Sequence, residues 1–350
     1  MSDQQSRLRA LLAKLADGGT LSTGESEAAF SVLMSGDATP AQIGALLMAL
    51  RVRGETVDEI TGAVRVLRAK ALHVRAPPGA IDIVGTGGDG AGTFNISTGA
   101  ALVVAACGVP VAKHGNRALS SKCGAADVLA ALGGNLDAEL SLVERAIHEA
   151  GIGFLLAPRH HAAMLPVAGP RVELGLRTIF NLLGPLSNPA NVTRQFTGAF
   201  AREWIEPMAR VLRNLGSERA WVVHGSDGLD ELTTTGPSYV AELDDGAVRT
   251  FEVLPSDIGL SLATPEDLKG GDAETNAAAM WAMLGGEHGP FRDAVVYNAA
   301  AALLVAGRVA SVREGAELAA EAIDAGRANA TLQRLVEITN TGAQPTAARP

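Results

Sequence analysis

Apolar residues recur every three to four positions at the start of the chain, at Leu8, Leu11, Leu12 and Leu15, at Ile43, Leu46, Leu47 and Leu50, and at Val57, Ile60, Val64 and Leu67. This period lines one face of an α-helix, so the opening segment predicts a small bundle of four amphipathic helices. Gly18-Gly19 stops the first, and a second is expected over 25–34. The third has Thr39 as its cap, Pro40 at its first position and Gly54 beyond its end. Each helix has an apolar face to cover, for which a second copy of the chain is one candidate. Ala76-Pro77-Pro78-Gly79 then breaks the pattern.

Beyond that break the period changes. Short apolar runs at 81–84, 109–112, 152–155 and 220–224 read as strands, with helices expected at 99–107, 125–132 and 140–150. Further strands fall near 239–243 and 249–253, and helices at 276–284, 293–305 and 312–325. The alternation predicts an α/β class with a mostly parallel central sheet and helices on its faces. A block over 160–191 interrupts it and is expected to return to the bundle at about 165–190, ending in the loop Gly184-Pro185-Leu186-Ser187-Asn188-Pro189. The expected organisation is therefore a helical domain over 1–76, an α/β domain over 77–340 and a loose tail over 341–350.

With 350 residues, 47% of them apolar, the chain can bury a large core. A net charge of −9 and the lack of a basic cluster argue against a nucleic-acid surface. No apolar run approaches the length of a bilayer span, and Met1-Ser2-Asp3-Gln4-Gln5 lacks the order of a secretory signal, so a cytoplasmic protein without membrane partners is expected. Cys107 and Cys123 show neither zinc nor disulfide spacing; Cys107 reads as core.

Despite the acidic balance, no carboxylate occurs between Asp89 and Asp127, while Lys113, His114, Arg117 and Lys122 do. Such a stretch suits an anion. It opens where the run Ile81-Asp82-Ile83-Val84 gives way to Gly85-Thr86-Gly87-Gly88-Asp89-Gly90 and then to Asn95-Ile96-Ser97-Thr98 at a helix start. Glycines let backbone N–H groups approach an oxyanion, and the open N–H groups of a helix start add partial positive charge. Ser97 and Thr98 also fit an ordinary cap, but their place after the glycine turn favours phosphate.

Gly85-x-Gly87-x-x-Gly90 matches a dinucleotide fingerprint in form, yet the acid expected some twenty residues later to hold a ribose is missing. No GxxxxGK[ST] is present either. Lys113-His114-Gly115-Asn116-Arg117 follows a predicted strand and is placed on a loop at its carboxyl end, with Ser120-Ser121-Lys122 adding donors. Asp230-Glu231 is a paired carboxylate. Adjacent acids are usually solvated, but beside phosphate loops they suit magnesium, which favours carboxylates plus substrate phosphates.

Taken together, these motifs and Arg171-x-Glu-Leu-Gly175-x-Arg-Thr-Ile-Phe-Asn181-Leu-Leu-Gly-Pro185 resemble the anthranilate phosphoribosyltransferase family, in order and along nearly the whole chain. The resemblance implies a nucleoside phosphorylase-like phosphoribosyltransferase fold, a homodimer joined through the helical domain, and an early step of tryptophan synthesis. It implies that Gly85, Gly88, Asp89, Thr93, Asn95, Ile96, Ser97 and Thr98 hold phosphoribosyl pyrophosphate. Lys113, His114, Gly115, Asn116, Arg117, Ala118, Leu119, Ser120, Ser121 and Ala125 are implied to hold it too. Gly85, Asn116 and Arg171 would meet anthranilate, with His114 and His161 nearby, and Ser97, Asp230 and Glu231 would hold Mg2+. Lys113, Arg171, Asp230 and Glu231 are the implied catalytic set.

The sequence departs from the family pattern at Cys123 and Ala125, where serines are frequent, at Leu165, where lysine is, and at Gly169-Pro170. Two other readings compete with this one. A pyrimidine nucleoside phosphorylase shares the glycine turn and Ser-Thr site but not the 113–117 loop or the 171–181 block. A non-catalytic nucleic-acid-binding paralogue would have lost the acid pair or gained a basic face.

Overall fold

A computed structural model describes residues 3–118 and 122–342. Four helices open it: α1 (Asp3–Ala16), α2 (Thr23–Ser35), α3 (Pro40–Arg53) and α4 (Val57–Lys70). The last three start on capping boxes, Ser22 with Glu25, Thr39 with Gln42 and Thr56 with Glu59. Each box satisfies two N–H groups left open at a helix start, and loss of such a cap costs about 1 kcal/mol. Glu59 also accepts from Leu21 N at 2.9 Å and pairs with Arg53, so one buried carboxylate ties the α1–α2 connection, α3 and α4 together. Gly62 lets α4 approach α2 closely, since a Cβ there would lie 2.4 Å from Thr23 O.

After the 76–79 break come β1 (Ile81–Gly85), α5 (Ile96–Ala106), β2 (Val111–Gly115), α6 (Ala125–Ala131), α7 (Leu140–Glu149) and β3 (Ile152–Leu156). The crossing block holds α8 (Ala157–His160), α9 (Leu165–Leu174) and α10 (Phe180–Leu186). Then follow β4 (Arg194–Gly198), α11 (Ile205–Asn214), β5 (Arg219–Gly225), β6 (Ser238–Asp244) and β7 (Ala247–Val253). Helices α12 (Ala273–Leu284), α13 (Pro290–Val305), α14 (Val312–Asp324) and α15 (Arg327–Thr339) complete the order.

One seven-stranded sheet runs β3-β2-β1-β4-β5-β6-β7, parallel through β5 and antiparallel from β5 to β7. Asp245 and Gly246, with φ of 47° and 73°, make the two-residue turn that right-twisted hairpin strands favour. Alternate strand residues face opposite cores. Phe196, Trp221 and Val223 pack with α5 and α12 to α15, whereas Ala220 and Val222 share a core with α11, the four bundle helices and Phe180, Leu182, Leu183 and Leu186 of α10. The fold is thus a small N-terminal helical domain and a large α/β domain with a mostly parallel sheet. Among the described residues, no helix is long and apolar enough to cross a membrane.

Several expected boundaries shift. The strand expected at 109–112 runs Val111–Gly115, because Pro110 has no N–H to give and only accepts, from Ile81 N. Helix α5 starts at Ile96, which puts Ser97 and Thr98 inside its first turn. Strand β4 and helices α11 and α15 add to the expected elements, and Gly184 to Leu186 are helical rather than loop. Of the tail expected to be loose, Thr341 still accepts from Arg145 at 2.8 Å, and residues 343–350 lie outside the described residues.

Candidate active site

Strand β1 ends at Gly85, and Gly87 and Gly88 follow with φ of 66° and 72°, a backbone that side chains rarely adopt. Asp230 and Glu231 come from the segment after β5 and close over this turn. Asp230 Oδ2 accepts from Gly87 N at 2.7 Å, and Glu231 Oε1 accepts from Ser97 N at 3.1 Å, in the first turn of α5. The fit requires two glycines. Gly85 and Gly198 are register partners at the ends of β1 and β4. A Cβ on Gly85 would meet Asp230 Oδ2 at 2.4 Å, and one on Gly198 would meet Asp230 O at 1.5 Å.

Both carboxyls are buried, and burial pushes each above the ordinary carboxylate range. Asp89 raises Asp230 further, while Asp230 and then Asp89 raise Glu231. Acids that repel one another out of water call for a cation, and an all-oxygen set suits Mg2+. Among the described residues there is no group of three or more His, Cys, Asp or Glu placed to hold a metal, so a metal here needs ligands from elsewhere, such as phosphate. The donor set fits magnesium held jointly with a substrate.

Lys113 was expected on a loop but lies within β2, fully buried, with Nζ donating to Ile83 O. Burial lowers its pKa, while Asp82, Glu231 and Asp230 oppose that shift. It lies within electrostatic reach of the acid pair. Asp82, which sequence reasoning passed over, sits beside it in β1, accepts from His114 N at 2.9 Å and is pushed up to about 6 by burial. Its only sequence signal is a carboxylate inside an apolar run. Next to it Asn188 Nδ2 donates to Ala112 O at 2.8 Å and Gln195 Nε2 to Pro185 O at 2.7 Å, so the crossing block docks on the sheet through buried hydrogen bonds.

His114 also lies in β2 rather than on a loop. Its Nδ1 meets Gly184 O at 3.2 Å and its ring is 5.2 Å from that of His161, edge to face. Burial, then His161, pushes His114 down to about 3, and burial, then His160, pushes His161 down to about 4, so both are neutral at pH 7. Arg171 stacks 4.7 Å over Phe180, one turn before Gly184, and burial lowers its pKa. Among the described residues its guanidinium has no ion-pair partner, leaving the N–H donors along its edge for an acid. Arg177, given no separate role from the sequence, donates to Gly88 O and stacks 4.7 Å over Phe200, tying the crossing block to the glycine turn.

Asn116, Arg117 and Ala118 follow β2 and are organised by Asp127. Its carboxylate accepts from Ala118 N at 2.8 Å and Gly124 N at 2.9 Å and pairs with Arg117 at 3.2 Å. The Arg117 guanidinium is therefore engaged within the loop. Asn116 O accepts from Ala126 N at 3.2 Å, next to Ala125 at the start of α6. Leu119, Ser120 and Ser121 lie outside the described residues. Thr93 bridges to Lys269, and the Ile96 side chain is in the core, so only its backbone can face a ligand. Asp89 Oδ1 accepts from Ala91 N at 3.2 Å, shaping the turn that begins at Gly88.

A phosphate-receptive turn, an acid pair with a buried lysine in its field, two neutral histidines in contact and an arginine stacked on Phe180 define a group-transfer site at the carboxyl ends of a parallel sheet. Residues 77–329 match the glycosyl transferase family a/b domain and residues 9–71 its helical bundle domain, so the chain belongs to that family. Within it, the chain is 65% identical over 333 residues, 95% of its length and 96% of the relative's, to anthranilate phosphoribosyltransferase of Paramagnetospirillum magneticum. The crystal structure of anthranilate phosphoribosyltransferase from Thermus thermophilus is 45% identical with a TM-score of 0.90, covering 94% of this chain and 99% of that one. The enzyme from Saccharomyces cerevisiae in complex with PRPP and Mg is 28% identical with a TM-score of 0.86, covering 97% and 99%.

Proposed function

We propose that the protein transfers the phosphoribosyl group of 5-phosphoribosyl 1-pyrophosphate to the amine of anthranilate, giving N-(5-phosphoribosyl)anthranilate and pyrophosphate. The observation that carries this reading is the acid pair anchored on both the glycine turn and the first turn of α5. It supports a metal–diphosphate site where α/β sheets bind ligands. In the reaction the anthranilate nitrogen bonds to the anomeric carbon as the carbon–oxygen bond to pyrophosphate breaks, and the nitrogen then loses a proton. An aromatic amine is neutral near pH 7, so positioning and leaving-group stabilisation supply most of the rate.

Asp230, Glu231 and Ser97 would hold Mg2+, which when bound supplies positive charge opposite the departing diphosphate. Residues Gly85, Gly88, Asp89, Thr93 and 95–98, with Asn116 to Ser121, would line the ribosyl-donor side. Lys113 offsets the charge of the acid pair and fixes β1 against β2. Arg171 suits the anthranilate carboxylate through two parallel hydrogen bonds. The uncharged His114 and His161 would wall the aromatic ring and do not compete for its carboxylate. The helical domain over 1–76, with the returning segment 165–190, is the proposed seat of a homodimer, and the cytoplasm the proposed location.

The test mixes anthranilate, donor and magnesium with the protein and follows loss of anthranilate fluorescence. Loss that requires all three components and releases pyrophosphate in equal amount is expected. Unchanged fluorescence with folded protein refutes the reading.

A further inference from the structure

Asn95 stands at the N-cap of α5, where an asparagine side chain ordinarily accepts from the helix's open N–H groups, yet it makes no such bond. Its Oδ1 instead accepts from Nδ2 of Asn276 at 2.9 Å and receives the Cys123 thiol at 3.5 Å. Asn276 is buried at the end of the first turn of α12, 181 residues away, and its orientation is not free. Its Oδ1 accepts from Gly271 N at 2.7 Å, and a backbone N–H can only donate. The atom Asn276 turns to Asn95 must then be the donor, and the atom Asn95 turns back must be the acceptor.

The segment before α12 is itself stitched to the 92–94 stretch. Gly270 N donates to Gly92 O at 2.9 Å, and Phe94 N to Leu268 O at 3.0 Å. A Cβ on Gly270 would lie 2.7 Å from Thr93 O and 2.8 Å from Asn276 Oδ1, so the seam has no room for another residue type. Asn95 Nδ2 has no acceptor among the described residues.

The geometry points to Asn276 as a positioning residue that sets which end of the Asn95 amide faces the ribosyl donor. With Asn276 in place, Asn95 presents two N–H donors to the anionic ligand and hides its carbonyl. The inference deepens the donor-site reading above and rests on it.

Replacing Asn276 by aspartate tests it. Aspartate keeps the shape and one oxygen for Gly271 N but offers Asn95 only acceptors, so the amide of Asn95 must turn and point its carbonyl at the diphosphate. Loss of a hydrogen bond to a charged group predicts a rise of about 10- to 100-fold in the Michaelis constant of the ribosyl donor. That of anthranilate should stay within about threefold. Asn276→Ala frees Asn95 to choose either orientation and should raise the donor constant by less than about fivefold. A merely structural role gives the opposite order, because alanine empties a buried position and aspartate does not.

The charge added by Asn276→Asp is separated from the turning of the amide by repeating it in Asn95→Ala, where its effect should fall to less than about threefold. Equal factors with and without Asn95, or a larger effect for alanine than for aspartate, overturn the assignment. Heat of binding of magnesium pyrophosphate to the parent protein separates the two levels. No binding there removes the donor-site reading and this inference with it, whereas parent binding with the wrong order of variants sinks the inference alone.

Discussion

Replacing Gly198 with alanine should disable the site without touching a single functional group. The new Cβ would fall 1.5 Å from Asp230 O, 2.3 Å from its carbonyl carbon and 3.1 Å from its Cα, all backbone atoms that no rotamer change can move. A tolerable approach is about 3.0 Å, so the Asp230 peptide must retreat by about 1.5 Å. That segment is pinned on both sides. Asp230 holds Gly87 N at 2.7 Å, Glu231 holds Ser97 N at 3.1 Å, and Leu232 exchanges two hydrogen bonds of 2.9 Å with Asn298.

Overpacking of this kind costs about 1–3 kcal/mol of stability, and a displacement of about 1 Å in a reacting constellation costs roughly 100-fold in rate. Steady-state kinetics over a magnesium series should show at least a 100-fold fall in kcat/KM, on the order of that displacement penalty, with a higher metal requirement. Circular dichroism should stay that of the parent. Gly85→Ala meets a side-chain atom, Asp230 Oδ2, at 2.4 Å rather than backbone, so it should raise the metal requirement with a smaller loss of stability. A Gly198→Ala enzyme within threefold or so of its parent at every magnesium concentration would show that the position of Asp230 does not govern turnover.

Arg171→Ala should raise the Michaelis constant of anthranilate about 10- to 100-fold, the range for a charged hydrogen bond, and leave that of the ribosyl donor within about threefold. Equal effects on both substrates would refute the assigned contact. Asp230→Asn combined with Glu231→Gln should abolish magnesium-dependent turnover; retained activity with unchanged metal dependence would end that role. His114 and His161 are held neutral, down to about 3 and about 4, so their contribution to stability is complete above the usual histidine value and shrinks as pH falls below it. At about 1.4 kcal/mol per pH unit each, they remove roughly 4 kcal/mol between pH 6.5 and 5. Asp82, raised to about 6, and the buried Asp230–Glu231 pair, held above the ordinary carboxylate range, work the other way and add stability as pH falls. The histidine part is read by comparison: the urea midpoint of the parent should fall by more, or rise by less, from pH 7 to pH 5 than that of a His114→Gln, His161→Gln variant, and matching shifts would contradict the buried neutral histidines.

Much of this was legible in the chain because local chemistry decided it. Glycines after an apolar run announced the β1 turn, and the Thr39-Pro40 start and Gly54 stop framed α3 as the structure has it. The errors arose where distant residues decide. Lys113 and His114 read as a loop because a charged pair ends an apolar run, and only Asp82 and the acid pair across the sheet make a buried lysine in β2 tolerable. Strand β4 carries Gln195 and Thr197, polar yet fully buried and bonded to each other at 2.7 Å, so its burial leaves no apolar pattern to read. Helix α15 has Ala328, Leu332, Leu335 and Ile338 at helical spacing, but Gly326 gives it no side-chain cap to mark its start. Gly198 and Asn276 matter only through atoms brought close by folding, and no neighbour in sequence announces either.

The apolar seam between the bundle and the sheet has a mechanical consequence. Val222 and Leu243 of the sheet share one cluster with Leu46, Leu50 and Val64 of the bundle, so the two sequence units meet across oil rather than across water. A swing about the exposed Pro78-Gly79 connection would strip that surface bare, at about 25 cal/mol for each square ångström uncovered. Any rearrangement that admits or releases a ligand must instead slide the helices over the sheet in small shear steps that keep the seam dry.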